Sequence, residues 1–231
     1  MRSEAVEDYL KAIYELQERD GKAKTMSLAE RLGVTAGSVS DMLKRLAKEQ
    51  PPIVEYRLHQ GVTLTPTGRI TALEIIRRHR LLETFLHDVL GFAWEEVHTE
   101  ADRLEHHISH RMTEAIANLL NHPDKDPHGD PIPDINGRLP ENYWVPLSSI
   151  EPGHHVRISR VQSRDEELLK YLTDIGIGME TVVMVLEKPP FDGPLSLRIG
   201  PTETGPVIRL GRQITDAMMV EVISTNPPKE D

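Results

Sequence analysis

Residues Arg78 to His110, RHRLLETFLHDVLGFAWEEVHTEADRLEHHISH, concentrate ligand-type side chains at helical spacing. His79 and Glu83 stand four apart and share one helix face, while Asp102, Glu105 and His106 fall at i, i+3 and i+4 on the helix that follows. Two helices that each present a ligand face can clamp a metal ion. Eight of the eleven histidines lie between residues 75 and 128, more imidazole than a solvated face needs when Lys and Glu would serve. The competing reading is surface chemistry, with His87, His107 and His110 solvated and the acid–His pairs forming ordinary i,i+4 ion pairs.

Composition narrows the chemistry. Without cysteine there is no disulfide framework, thiolate zinc site, iron–sulfur cluster or cysteine nucleophile, so any metal is held by N and O ligands. The net charge of −10 argues against nucleic acid until its distribution is considered: residues 1–80 carry 14 Lys+Arg against 11 Asp+Glu, and residues 81–231 carry 13 against 26. The basic excess thus lies in the N-terminal third, a modest footprint for DNA. No apolar run reaches eighteen residues, and MRSEAVEDYL has acids where a signal peptide has an apolar core. These features predict a soluble cytoplasmic protein with no membrane partner.

Taken in order, AVEDYLKAIYELQER (5–19) puts Ala5, Tyr9, Ile13 and Leu16 on one stripe with Leu10 and Tyr14 beside it, and Asp20-Gly21 ends the helix. Asp8 lies beside the stripe, where a carboxylate is costly without a partner. Ser27 as an N-cap, a short helix closed by Gly33, and a second helix capped by Thr35 read as a helix-turn-helix, its apolar positions being Leu28, Leu32, Val39, Leu43 and Leu46. Small groups at the start of the second helix let it approach base edges. Thr35, Gly37, Ser38, Ser40 and Asp41 are therefore the expected DNA-facing residues, with Lys44 and Arg57 on phosphate. IVEYRLHQGVTLTPTG then reads as strand, turn at His59-Gln60-Gly61 and strand, the wing of a winged helix. A long helix carrying Ile70, Leu73, Ile76 and Leu81 follows, then a second over about Trp94–Leu120, interrupted near Thr99–Ala101. Helix pairs with excess apolar surface commonly dimerise, and a two-fold dimer suits a palindromic double-stranded DNA operator. The stretch from His122 to Pro146, with six prolines, reads as a linker or long loop. Five short strands and the small helix EELLKYLTDIG suggest a small barrel beyond it. There are no internal repeats.

Winged helix, ligand-bearing helices, proline-rich tether and small barrel, with the strings LTPTGR, RHRLLE, EVHTEADRLEHHIS and GDPIP, resemble the diphtheria toxin repressor family of metal-dependent transcriptional regulators. The resemblance implies a mainly α chain with a small β part. Its expected divisions are a winged helix-turn-helix DNA-binding domain (1–72), a helical metal-binding and dimerisation domain (73–140), a tether (141–150) and an SH3-like β-barrel (151–226). It also implies two metal sites, one of His79, Glu83 and His98 and another of Asp8, Asp102, Glu105 and His106. Carboxylates at positions 8 and 102, where iron-sensing members carry sulfur, side with the manganese branch, and an oxygen-rich set independently suits Mn(II), with Fe(II) the second effector. Lys11 stands where some manganese sensors have a further acid. Barrel residues Glu166 and Asp165 are expected to lend ligands to the His79 site. Family members hold an anion near Arg80 with a Ser and an Asn. Here Asp126 and Asp130 occupy those positions, and acids repel an anion, which turns them toward metal instead.

The expected function is a homodimeric, metal-activated repressor, not an enzyme, controlling metal uptake and homeostasis genes. One ion would tie the first helix to the dimerisation helices and set the spacing of the recognition helices, with a coupling of about 1–3 kcal/mol. Two rivals remain at this level. Glu95-x-x-His98 is the helical motif of di-metal carboxylate enzymes, though those need a second copy. A winged-helix repressor of a small organic ligand would bind DNA regardless of metal.

Overall fold

The computed structural model describes residues 3–57, 60–141 and 143–225. Helix α1 (Glu4–Asp20) buries Val6, Tyr9, Leu10, Ile13 and Leu16, and ends at Gly21, whose φ of 77° lets its N–H bond Gln17. Ala5, expected on the stripe, is exposed, and Val6 takes its place. Helix α2 (Thr25–Leu32) begins before the expected Ser27 cap, because the Lys24 carbonyl already accepts from the Leu28 N–H at 3.0 Å. Helix α3 (Ala36–Leu46) is capped as read, with the Thr35 hydroxyl accepting from the Ser38 N–H. Strands β1 (Val54–Arg57) and β2 (Gly61–Leu64) pair antiparallel from Val54↔Leu64 to Arg57↔Gly61 and drop Val62 and Leu64 into the same core. His59, in the expected turn, lies outside the described residues.

Helix α4 (Pro66–Asp88) starts with proline at its first turn, where no N–H is needed, and with the Thr65 hydroxyl accepting from the Gly68 N–H. Ala72, Leu73, Ile75 and Ile76 belong to the winged-helix core, whereas Leu81, Leu82 and Leu86 belong to a second core with α5 (Val97–Leu104) and α6 (His110–Leu119). One continuous helix therefore connects DNA-reading and ligand-bearing parts, and the boundary expected at 72/73 falls inside it. The interruption expected at Thr99–Ala101 is not there. Those residues are helical, since the Thr99 hydroxyl donates to Glu166 instead of competing with its own backbone. The break comes at residues 105–109, where Ser109 caps α6 by accepting from the Met112 N–H.

The C-terminal part is an antiparallel six-stranded sheet in the order β3-β8-β4-β5-β6-β7. Its strands are β3 (Val145–Pro146), β4 (His154–Val161), β5 (Val182–Glu187), β6 (Leu195–Ile199), β7 (Val207–Leu210) and β8 (Met218–Thr225). Helix α7 (Glu166–Asp174) adds Leu169 and Leu172 to their core, and a short α8 (Arg212–Ala217), not read from the sequence, joins β7 to β8. Leu147 and Ile150, inside the expected tether, are buried in this core. Of the two readings of the proline-rich stretch, the long loop is the one found, and it is packed: Asp126, His128, Asp130 and Ile132 are buried, and the Val161 N–H of β4 donates to the His128 carbonyl at 2.9 Å. Gly129 makes this approach possible. It has φ of 83°, and a Cβ there would meet the Ser159 carbonyl oxygen at 2.1 Å. Gly129→Ala should therefore destabilise the chain by about 1–3 kcal/mol, through left-handed strain and backbone displacement. Urea unfolding measures this, and a midpoint unchanged from wild type would contradict the packing described.

Candidate metal centre

Helical spacing puts His79 and Glu83 one turn apart on α4, and α5 brings His98 against them. His79 Nε2 and His98 Nδ1 lie 2.9 Å and 3.0 Å from the same oxygen, Glu83 Oε1, and 3.0 Å from each other. Glu83 is fully buried and His79 nearly so. Burial alone would push the His79 imidazole down, and the Lys11 charge adds to this, but the Glu83 charge and the hydrogen bonds to Glu105 and Glu83 together bring the pKa up to about 9. Burial likewise raises Glu83, and the His79 charge together with the hydrogen bonds to His79 and His98 and the Arg164 charge reverses this, holding the carboxyl well below its ordinary range. Two imidazoles this close to one carboxylate suit a shared cation, with a proton on His79 filling the role in its absence.

A second convergence joins α1 to the end of α5. His106 Nε2 lies 3.1 Å from Asp8 and 3.5 Å from Glu105 Oε1, and His106 Nδ1 pairs with Glu7 at 2.9 Å. Glu7 went unrecognised in the sequence. It also pairs with Arg78 and fixes the ring so that Nε2 faces Asp8 and Glu105. Burial raises the Asp8 pKa, partly offset by His106. Asp102 does not stand directly with this group. Its carboxylate lies 3.4 Å from His79 Nδ1 and 3.6 Å from His98 Nε2, so it groups with His79 and Glu105. The reason is Lys11, whose ammonium enters between α1 and α5, 2.7 Å from Asp102 Oδ1 and 2.9 Å from Glu105 Oε1.

A third convergence contains Asp126, which the sequence turns toward metal, and His128, which was not among the expected ligands, and meets the first at Glu83. His128 Nε2 donates to the Trp94 carbonyl at 2.8 Å, which leaves the Nδ1 lone pair pointing 3.9 Å from Glu83 Oε2. Burial, then the Arg164 charge, lowers the His128 pKa to about 4, so the ring is neutral at pH 7. Burial, then Glu83, pushes Asp126 up to about 7. Glu83 Oε2, Asp126 Oδ2 and His128 Nδ1 are all buried without a hydrogen-bond partner. Each such atom costs about 1–3 kcal/mol, and a cation among the three would relieve all of them. The donor set, two oxygens and one imidazole nitrogen with its other N–H fixed by a carbonyl, fits a divalent metal. Asp130 pairs with Arg160 and Arg164, whereas Asp126 Oδ2 lies 3.9 Å from Arg80 Nε, beyond hydrogen-bond reach. Of the two barrel residues, Asp165 caps α7 by accepting from the Leu168 N–H, and Glu166 accepts from Thr99, the neighbour of His98. Neither joins a ligand cluster among the described residues: the helix N-terminus claims one and a hydroxyl the other.

On α3, Gly37, Ser38, Asp41 and Lys44 are exposed, with Asp41 and Lys44 paired at 3.1 Å. The Ser38 hydroxyl lies 3.0 Å from that of Thr35, Ser40 donates back to the Ala36 carbonyl, and Arg57 is exposed on the wing. Arg45, not among the expected contacts, is exposed on the same helix.

A winged helix joined by one helix to clustered N and O ligands defines a metal-responsive DNA-binding protein, and the comparisons agree. Residues 1–61 match the iron-dependent repressor N-terminal DNA-binding domain, 65–134 the iron-dependent repressor metal-binding and dimerisation domain, and 145–222 the FeoA domain. The diphtheria toxin repressor of Corynebacterium efficiens is 28% identical over 95% of this chain and 96% of that protein. The iron-dependent repressor IdeR of Mycobacterium tuberculosis is 36% identical over 57% of this chain, a match spanning about half of IdeR, 56% of its length. A solved manganese-dependent transcriptional repressor in complex with manganese is 38% identical, with a TM-score of 0.86 over 94% of this chain and 99% of that one. The manganese regulator SloR is 31% identical, with a TM-score of 0.75 over 94% and 98%. The chain belongs to the diphtheria toxin repressor family of metal-dependent regulators.

Because Glu83 faces two clusters with separate oxygens, Glu83→Gln should lower Co2+ binding more than either His98→Ala or Asp126→Asn. The last keeps an amide oxygen where Asp126 Oδ1 accepts from the His128 and Asp130 N–H groups. Equilibrium dialysis compares the three, and equal losses would contradict a shared carboxylate.

Proposed function

We propose that this chain is a homodimeric, metal-activated transcriptional repressor that binds a palindromic DNA operator, with Mn(II) the preferred effector and Fe(II) the second. The observation that carries the reading is the convergence of N and O ligand atoms in linked clusters, Asp8–Glu105–His106 where α1 meets the end of α5 and, around Glu83, buried atoms without a hydrogen-bond partner. Family membership supports the class. The donor set supports the metal, being rich in carboxylate and free of sulfur, though stability order alone favours Zn or Cu and leaves selection to geometry and availability. Exposed Leu104, Met112 and Leu119 on α5 and α6 supply apolar surface suited to a second copy. The work divides among residues 1–72 for DNA, 73–140 for metal and dimerisation, and 151–226 as the SH3-like unit, with 141–150 between.

In one set Asp8, Glu105 and His106 would hold the ion, with Asp102 alongside. In the other His79, Glu83 and His98 would hold it, joined by Asp126 and His128. A bound divalent cation supplies the positive charge that cancels carboxylate repulsion. Asp8 belongs to α1, which packs on the DNA-reading unit, and Glu105 and His106 follow α5, so their common ligation fixes one relative to the other. The recognition helices of a dimer would then sit about one turn of DNA apart, roughly 34 Å. Thr35, Gly37, Ser38, Ser40 and Asp41 face the bases, and Lys44 and Arg57 the phosphates. Among the described residues no helix is long and apolar enough to cross a membrane.

The test is fluorescence anisotropy of the metal-stripped chain on DNA from its own promoter region, under anaerobic conditions. DNA binding should appear at a lower free concentration of Mn2+ than of Fe2+, and vanish with EDTA. Asp8→Ala and Glu105→Ala should abolish the metal response while leaving a folded dimer, whereas His79→Ala should weaken it. Binding equally tight in EDTA would remove metal from the switch, and a full response in both Asp8→Ala and Glu105→Ala would contradict the coupling of α1 to α5.

A further inference from the structure

The ligand sets above leave Lys11 without a role, yet its surroundings are those of a bound ion. The ammonium lies 2.7 Å from Asp102 Oδ1, 2.9 Å from Glu105 Oε1 and 3.3 Å from His79 Nδ1. His79, Asp102 and Glu105 converge as a possible metal-holding group in their own right, and the lysine stands among them. Its side chain is only 13% exposed and that of Glu105 is fully buried, unlike the solvated ion pairs of a surface. Asp102 is half exposed, so its pair with Lys11 contributes little, but the ammonium cannot be removed without leaving the charge of buried Glu105 less compensated. Lys11 comes from α1, His79 from α4, and Asp102 and Glu105 from α5 and its last turn. A single ammonium thus links three helices.

We propose that Lys11 is a resident cation: it takes the place of an ion at His79–Asp102–Glu105 and confines metal to the flanking clusters, leaving the coupling of α1 to the end of α5 to the ion held by Asp8, Glu105 and His106. This rests on the reading of those clusters as metal sites. Glu105 transmits the consequence, because the Oε1 that accepts from Lys11 also lies 3.5 Å from His106 Nε2 and so faces the Asp8–His106 pocket. The fixed positive charge repels a divalent ion entering that pocket and raises the free concentration at which it fills. Lys11 is therefore a residue that sets ion number and threshold, not a ligand.

The experiment uses the full-length, metal-stripped chain as wild type, Lys11→Glu and Lys11→Met. Bound Mn2+ per chain is counted by equilibrium dialysis with plasma emission. Lys11→Glu should bind one ion more per chain than wild type. Lys11→Met should reach half saturation of the Asp8 pocket at a free Mn2+ concentration lower by at least about tenfold, as expected for removal of one charge at this range. Identical ion counts and half saturation in all three would overturn the proposal. A wild-type chain that binds no Mn2+ would sink the reading under Proposed function, and would take the Lys11 proposal with it only if Lys11→Glu bound none either. A second measurement needs no variant: acetic anhydride labelling of wild type with and without saturating Mn2+, read by peptide mass spectrometry. Lys11 should stay less reactive than exposed Lys48 in both states; reactivity rising to that of Lys48 on metal loading would mean the ammonium leaves when the ion enters, contradicting residence.

Discussion

Two buried carboxylates, Glu83 and Glu105, must each be matched by positive charge, and the rest of the centre follows from that requirement. Each has no exposed surface, so water cannot meet the need. Glu83 offers one oxygen to His79 and His98, while the other faces His128 and Asp126 without a hydrogen-bond partner; Glu105 offers one to His79 and the other to Lys11 and, less closely, His106. A proton on His79 and the ammonium of Lys11 meet part of the demand. The unpartnered atoms beside Glu83 mark the part that is unmet, and they are where a cation has most to contribute.

The fold serves this arrangement by keeping its supports stiff. Helix α4 runs without interruption from the winged-helix core to the ligand face, so a change in charge at His79 acts on the element that carries the DNA-reading unit. The candidate ligands on α1, α4, α5 and the proline-rich loop come from four separate stretches of chain, and only closure of the tertiary structure assembles them. The buried loop also ties the metal centre to the sheet through the His128 carbonyl and β4, which gives the C-terminal unit a contact with the centre other than direct ligation by Glu166.

Much of this was legible in the sequence, and the errors are instructive. Thr35, Gly33 and the alternation of Val62 and Leu64 specify local geometry, so the helix-turn-helix and wing could be read directly. Helical spacing likewise put His79 with Glu83. Spacing says which face a residue shares and nothing about what meets that face: Asp102, which the resemblance groups with Asp8 and His106, stands beside His79 and the Lys11 ammonium that reaches in from α1. Asp126 and His128 sit in a loop without periodicity, where burial depends on Gly129 packing against Ser159, a tertiary fact. The interruption expected near Thr99–Ala101 falls a turn later, at residues 105–109, where Ser109 caps the next helix.

The central claim, that divalent cations bind at the Glu83 and Asp8–Glu105–His106 clusters while the ammonium keeps its place between them, is most directly tested by anomalous diffraction. Crystals of the Mn2+-loaded chain measured on both sides of the manganese absorption edge should show peaks within the Glu83 cluster and among Asp8, Glu105 and His106. No peak should appear at Lys11 Nζ. A peak in the place of that ammonium, with the lysine swung away, or peaks only at surface histidines such as His87 and His107, would contradict the account.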